Sequence, residues 1–161
     1  MIEEGYVHYY SSRYNAFLTG NGILSVVFVE CGEWDDDVYH VWNIDVNSGE
    51  RVDNRTMAEI AGVADIRGSA MDAVQTYLNN SGLVHIENYE IVSIEYDYAR
   101  EDVERSFSEE VLNDNMMIGI TSDRTLFFVS PVASFGGAES YYRIYDAHGN
   151  DLDNVTGWVG N

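Results

Sequence analysis

The chain contains no lysine, and this absence shapes its charge. All eight basic residues are arginine, against 28 aspartate and glutamate residues, so the formal net charge is −20 over 161 residues. A surface with this charge repels phosphate, which makes nucleic acids and anionic membranes unfavourable partners. It attracts cations and basic proteins and repels its own copies, so we expect a monomer. The same charge is also compatible with a solvated surface that has no particular partner.

Cysteine and long apolar runs are almost as scarce as lysine. Cys31 is the single cysteine, which excludes an intrachain disulfide and the paired-cysteine motifs of zinc and redox sites. No apolar stretch approaches the ~20 residues that a membrane-spanning helix needs, so we predict no membrane insertion. The first residues are acidic and lack the basic and apolar regions of a signal peptide. The protein is therefore either cytoplasmic or an exported domain whose signal lies outside this sequence.

Aromatic and apolar residues are plentiful in spite of the charge. Hydrophobic residues make up 45% of the chain and aromatic residues 13%, including twelve tyrosines. This composition is too apolar for a disordered chain. A tyrosine can pack its ring on a sheet while its hydroxyl stays in water, so tyrosine-rich strands suit exposed sheet faces and interfaces. We expect one domain that covers residues 1–161 and buries a substantial core.

The first third of the chain has the pattern of three β-strands. Residues 6–18 alternate between two faces, and residues 23–29 are apolar on both faces, as in a central strand. The Gly-Asn-Gly turn at residues 20–22 predicts a hairpin between them, because Asn and Gly tolerate positive φ. A third alternating strand is predicted at residues 38–46, before the Asn-Ser-Gly turn at residues 47–49.

Helical spacing occurs in the middle of the chain, and strand patterns return at its end. Apolar residues recur at helical intervals in residues 57–64 and in residues 71–78, with a break at Gly68. Residues 92–98 alternate like a strand, and residues 100–112 show a third helical pattern with acids in the first turn. The last predicted strands are residues 116–121, 125–130 and 140–146. We therefore predict an α+β fold with a mainly antiparallel β-sheet and two or three helices.

Two short segments of the chain are similar to each other. Residues 45–49 (Asp-Val-Asn-Ser-Gly) and residues 146–150 (Asp-Ala-His-Gly-Asn) each follow a predicted strand and lead to an Asp-Asn pair. Asp, Asn and Gly favour turns for separate physical reasons, so we interpret the similarity as convergent turn chemistry.

The sequence carries no motif of a known catalytic or metal site. Nucleophile-elbow, zinc-protease and phosphate-loop motifs are absent, and the four histidines lack the spacing of metal ligands. We predict a protein that is not an enzyme and has no cofactor. Three consecutive aspartates at residues 35–37 could hold Ca²⁺, but calcium loops usually place their acids at alternate positions, so we interpret the run as an exposed loop.

The aspartate run and nearby aromatic residues are the candidate contacts for a partner. Trp34 precedes the run and could pack on the stem of a partner's arginine or lysine, or it could close an edge of the core. Tyr39 follows the run, and Phe135 lies in a longer predicted loop at residues 131–137. The predicted partner-binding residues are Trp34, Asp35, Asp36, Asp37, Tyr39 and Phe135.

Several stretches occur in the order of the motifs of a known family. Residues 22–27 (Gly-Ile-Leu-Ser-Val-Val) are followed by residues 39–50, which end in Asn-Ile-Asp-Val-Asn-Ser-Gly-Glu, and by a later hairpin at residues 117–131. This order resembles the RsiV-like extracytoplasmic domain of lysozyme-sensing anti-sigma factors and cell-wall polysaccharide deacetylases, over roughly residues 6–146. Where that family often has a Gly-Gly-Ala-His loop, this chain has residues 32–37. The resemblance implies an extracellular binding or sensing module without chemistry of its own.

The leading functional prediction combines the resemblance with the charge. Together they predict a non-enzymatic bacterial module, extracellular or on the cell surface, that binds a basic protein such as lysozyme or a cell-wall glycan. One alternative is an acidic cytoplasmic immunity protein or nucleic-acid mimic, which the absent signal peptide favours. A third hypothesis is a hydrolase of cell-wall glycans that uses a pair of carboxylates.

Overall fold

The computed structural model describes residues 11–31, 37–137, 140–153 and 159–160. Within these residues it contains three antiparallel sheets and three α-helices. The predicted α+β class with mainly antiparallel sheet is therefore confirmed.

The first sheet has the strand order β3–β2–β1–β9. Its strands are β1 (Ser11–Leu18), β2 (Ile23–Cys31), β3 (Val38–Asp45) and β9 (Val159–Gly160). β2 lies between β1 and β3, as its two apolar faces predicted. The hairpin between β1 and β2 is also confirmed. Its Gly22 has a φ of +90°, a conformation that glycine adopts without steric cost.

Two helices follow the first three strands, and an aspartate caps each of them. The helices are α1 (Asn54–Ala61) and α2 (Ile66–Asn80). Asp53 accepts a hydrogen bond from the Thr56 N–H at 2.8 Å, and Asp65 accepts one from the Gly68 N–H at 2.9 Å. The predicted break at Gly68 is wrong. A Cβ atom there would lie 2.5 Å from a carboxylate oxygen of Asp65, so glycine makes room for the cap within one continuous helix.

A short hairpin after α2 differs from the sequence-based prediction. It consists of β4 (Val84–Glu87) and β5 (Glu90–Ile94), joined by Asn88 and Tyr89, which both have positive φ. The sequence predicted a single strand at residues 92–98. β4 has only four residues, too few for the alternation of its side chains to stand out in the sequence.

The second sheet has the strand order β6–β7–β8 and lies in the middle of three layers. Its strands are β6 (Met117–Ile120), β7 (Leu126–Ala133) and β8 (Ser140–Asp146). All three were predicted, but β7 continues three residues into the predicted loop at residues 131–137. Phe127 and Val129 pack with Val27 and Val29 of the first sheet. Neighbouring side chains of the second sheet, such as Phe128 and Tyr145, belong to a second core that includes the helices. Two cores therefore separate the three layers.

The last helix, α3 (Arg100–Ser106), is shorter than the predicted helix at residues 100–112. Ser106 is buried, and its hydroxyl accepts a hydrogen bond from the Ala133 N–H at 3.0 Å. This bond fixes the end of α3 against β7. Serine also has a low helix propensity because its side chain competes for backbone hydrogen bonds.

Two buried polar side chains of the first sheet cover the free edge of β6. The Asn43 side-chain amide donates to the Ile118 carbonyl at 2.8 Å, and the Ser25 hydroxyl accepts from the Ile120 N–H at 2.9 Å. Ser25 also donates to the Asn43 side-chain oxygen at 2.7 Å. This network joins the two sheets and satisfies edge groups that would otherwise be buried without partners.

The two similar segments form related turns after β3 and β8. Asp45 and Asp146 each accept a hydrogen bond from the main-chain N–H two residues later, at 2.8 Å. After the second turn, the Leu152 N–H donates to the Ile144 carbonyl at 2.8 Å. The chain thereby returns along β8 and brings Asp153 next to it.

Candidate ligand-binding cleft

A cleft lies where β1 and β3 of the first sheet meet β8 of the second. Its volume is about 330 Å³. The residues that line it are Arg13, Asp37, Tyr39, Ser140, Tyr141, Tyr142 and Arg143. Two of the eight arginines of this strongly acidic chain therefore lie at one small site.

Arg13 and Tyr39 form one wall of the cleft. Both pair with Val29, from opposite sides, in a single cross-strand row of the first sheet. An Nη atom of Arg13 donates to the Tyr39 hydroxyl at 3.3 Å. The Tyr39 ring stacks on the Tyr142 ring of β8, with centroids 5.4 Å apart and planes at 21°. This stacking joins the two sheets and holds the tyrosines in place.

Each arginine of the cleft has a carboxylate nearby. Arg13 lies 3.7 Å from an oxygen of Asp37, and Arg143 lies 3.9 Å from an oxygen of Asp153. Arg143 also lies over the Tyr141 ring, 5.9 Å from its centroid. The charges at this site nearly balance, in contrast to the acidic chain as a whole.

Burial raises the pKa of Asp153, and the neighbouring Asp151 raises it further. The Ile144 N–H, which donates to Asp153 at 3.4 Å, and the charge of Arg143 act in the opposite direction. The folded state thus binds this proton more tightly than the unfolded chain does, so the stability it contributes is present at low pH and lost as pH rises through the folded pKa. Burial also raises the pKa of Tyr39, which remains a neutral phenol at physiological pH.

The structure brings together two of the predicted partner-binding residues. Asp37 and Tyr39 both line the cleft. Phe135 lines a different cavity of about 550 Å³, beside Tyr77 of α2, and its carbonyl accepts a hydrogen bond from the Tyr98 hydroxyl at 2.7 Å. The remaining three, Trp34, Asp35 and Asp36, lie outside the described residues.

Sequence reasoning missed the cleft residues that come from distant strands. Arg13 was part of an alternating strand, and Tyr142 and Arg143 were part of another strand more than a hundred residues later. The signal that could have found them is the scarcity of basic residues. An arginine on the inward face of a strand in so acidic a chain indicates a specific neighbour.

Two kinds of feature are absent from the described part of the chain. No group of three or more His, Cys, Asp or Glu side chains there has an arrangement that could hold a metal ion. None of the described helices has both the length and the apolar character needed to cross a membrane.

Comparison of the chain with protein-family models, with curated proteins and with solved structures finds no match.

Proposed function

We propose that this protein is an extracytoplasmic binding or sensing module of a bacterial cell that binds a basic protein such as a lysozyme. The observation that carries this proposal is the charge of −20 on a folded chain. The resemblance to the RsiV-like domain also supports the proposal, because that domain occurs in lysozyme-sensing anti-sigma factors. No covalent chemistry is part of the proposal.

The distribution of ion pairs supports a negative field around the molecule. At least five of the eight arginines lie within 4 Å of a carboxylate of the same chain: Arg13, Arg55, Arg100, Arg105 and Arg143. Most of the positive charge is therefore paired with carboxylates of the same chain. The excess carboxylates determine the electrostatic potential that an approaching protein encounters. Such a field speeds the association of a basic partner, while the affinity depends on buried contacts.

Calorimetric titration with a c-type lysozyme tests the proposal, and matched charge variants locate the contact. The triple variant Asp35→Asn, Asp36→Asn and Asp37→Asn is expected to weaken binding about tenfold, a cost of about 1.4 kcal/mol. The control replaces three exposed acids elsewhere, Glu104→Gln, Glu109→Gln and Asp114→Asn, and changes the net charge equally. If both variants weaken lysozyme binding equally, the loss of affinity results from the change in overall charge and not from loss of the aspartate run.

A cell-wall glycan is a second candidate ligand, and the cleft is the observation that favours it. Two arginines, an aspartate, a serine and three tyrosines line a space of about 330 Å³, and two of the tyrosine rings are stacked. Convergent polar groups on an apolar wall are typical of sites for small polar ligands. The near balance of charge in the cleft also suits a neutral sugar.

Titration with soluble peptidoglycan fragments tests the glycan hypothesis. The Tyr142→Ala variant is expected to weaken fragment binding about tenfold, because it removes half of the stacked pair. Tyr96→Ala is the matched control, since the exposed fractions of Tyr142 and Tyr96 are 39% and 37%. Equal affinity of wild type and the Tyr142→Ala variant would exclude the cleft as the glycan site.

A further inference from the structure

The cavity that Phe135 lines lies between the C-terminal end of α2 and the second sheet. We call it the α2 cavity and define it by residues 77–81, 133–135, 143 and 149–151. Its volume is about 550 Å³, larger than that of the cleft. Sites for small molecules typically measure roughly 300–1,000 Å³, so the α2 cavity has the size of such a site.

The walls of the α2 cavity are held by contacts of their own. The turn after β8 rests directly on α2, because a Cβ atom at Gly149 would lie 2.8 Å from the main-chain nitrogen of Tyr77. The Tyr98 hydroxyl donates to the Phe135 carbonyl at 2.7 Å and fixes the opposite wall. A ligand therefore enters a cavity that is already formed, which reduces the ordering cost of binding.

One part of the α2 cavity is apolar. Leu78 and Ala133 are buried, and the partly buried Phe135 packs against the same core. An apolar group of a ligand that lies against these side chains is removed from water, which favours binding.

Three polar side chains of the α2 cavity have unused hydrogen-bonding groups. Within the described residues, the Arg143 guanidinium, the Tyr77 hydroxyl and the Asn80 side chain make no hydrogen bond. Arg143 does pair with Asp153, but the two atoms are 3.9 Å apart, which is beyond hydrogen-bond distance. All three side chains can donate, and a guanidinium with several free N–H groups matches the two oxygens of a carboxylate.

The α2 cavity also contains a negative charge close to this arginine. Asp151 lines the cavity and is exposed. Burial raises the pKa of Tyr77, the charge of Asp151 raises it further, and the charge of Arg143 lowers it. Both charges thus act on the same hydroxyl, so a cationic and an anionic group lie near each other at one end of the cavity.

We propose that the α2 cavity binds a free α-amino acid with an apolar side chain. The ligand carboxylate accepts from Arg143 and Tyr77, and its ammonium group faces Asp151. Its side chain lies against Leu78 and Phe135. A zwitterion has no net charge, so the field of a chain with net charge −20 does not repel it as it repels a simple carboxylate. This site goes beyond the proposed function, since it needs no protein partner.

Calorimetric titration of the wild-type protein with L-phenylalanine and matched analogues tests the proposal. Phenethylamine lacks the carboxylate, 3-phenylpropionate lacks the ammonium group, and glycine lacks the side chain. We expect saturable 1:1 binding of phenylalanine and binding weaker by about tenfold or more for each analogue. Each charged analogue leaves one charged group of the site without its partner. An analogue that binds as tightly as phenylalanine would overturn the proposal.

The variant Arg143→Gln assigns the binding to the α2 cavity. The matched control is Arg100→Gln, because the side chains of Arg143 and Arg100 are 41% and 43% exposed and both variants change the net charge equally. We expect phenylalanine to bind Arg143→Gln about tenfold more weakly and Arg100→Gln like wild type. Equal affinity of wild type and Arg143→Gln would overturn the site.

Amide NMR spectra of the wild-type protein give a second readout that does not depend on how a variant folds. Phenylalanine is expected to shift the resonances of Asn80, Ser81 and Ser134, which line the cavity, and to leave that of Gly20 in the first hairpin unchanged. Saturating phenylalanine without these shifts would overturn the proposal. If the neutral sugar N,N′-diacetylchitobiose shifts them and phenylalanine does not, the cavity is a glycan site and the amino-acid proposal is wrong.

Discussion

The substitution Gly119→Ala is expected to lower the free energy of unfolding by about 3 kcal/mol. Gly119 lies in β6, directly opposite Phe127 of β7. An alanine Cβ would lie 2.6 Å from a Cε atom of the Phe127 ring and still closer to its tip. Phe127 is fully buried between the two sheets, so its ring has no space into which to move. Either the ring leaves its rotamer or the two strands separate.

Thermal or denaturant unfolding measures this effect, and a second glycine supplies the control. Gly20 has no atom within 4 Å of an added Cβ and does not have a positive φ. Gly20→Ala should therefore change the free energy of unfolding by less than about 1 kcal/mol. Similar stability of the two alanine variants would contradict the close packing of β6 against Phe127.

The substitution Asn43→Ala is expected to cost about 3 kcal/mol as well. The side-chain amide of Asn43 donates to Ile118 at 2.8 Å, and its oxygen accepts from Ser25 at 2.7 Å. Asn43 and Ser25 are both buried, so water cannot replace the lost bonds without opening the space between the sheets. Two buried polar groups would lose their partner at once.

Amide hydrogen exchange locates the damage in the Asn43→Ala variant. The Ile120 amide, which donates to Ser25 at 2.9 Å, should exchange faster because the edge of β6 loosens first. Asn80→Ala, at an exposed position of α2, is the control and should be nearly neutral. A loss of less than about 1 kcal/mol for Asn43→Ala would show that the network contributes little to joining the sheets.

The strands that the sequence predicted best are those with strong local signals. β2 is apolar on both faces, and the glycine-containing turn before it predicts a hairpin with β1. The errors have tertiary causes. Glycine weakens a helix, so Gly68 predicts a break in the sequence. Its fit beside the Asp65 cap depends on three-dimensional geometry, which the sequence pattern does not record. α3 ends at Ser106, where the side-chain hydroxyl accepts a hydrogen bond from Ala133 of β7, a residue far away in the sequence.

The candidate site was predictable only in part, for the same reason. Asp37 and Tyr39 lie two residues apart in the sequence, and their charge and aromaticity predict that they contact a partner. Their contacts with Arg13 and Tyr142 depend on how two sheets pack, which no local pattern records. The two apolar sides of β2 predict a central position in the sheet, which the structure confirms.

The measurement that tests the central claim most directly is the calorimetric titration of the wild-type protein with a c-type lysozyme at low and at physiological salt. A shaped interface with buried anchors predicts a 1:1 isotherm that persists at physiological salt, with weaker affinity but the same stoichiometry. Heat that disappears at physiological salt would mean that only screened charge attraction acts between the two proteins. That result would contradict the proposal that this protein specifically binds or senses lysozyme.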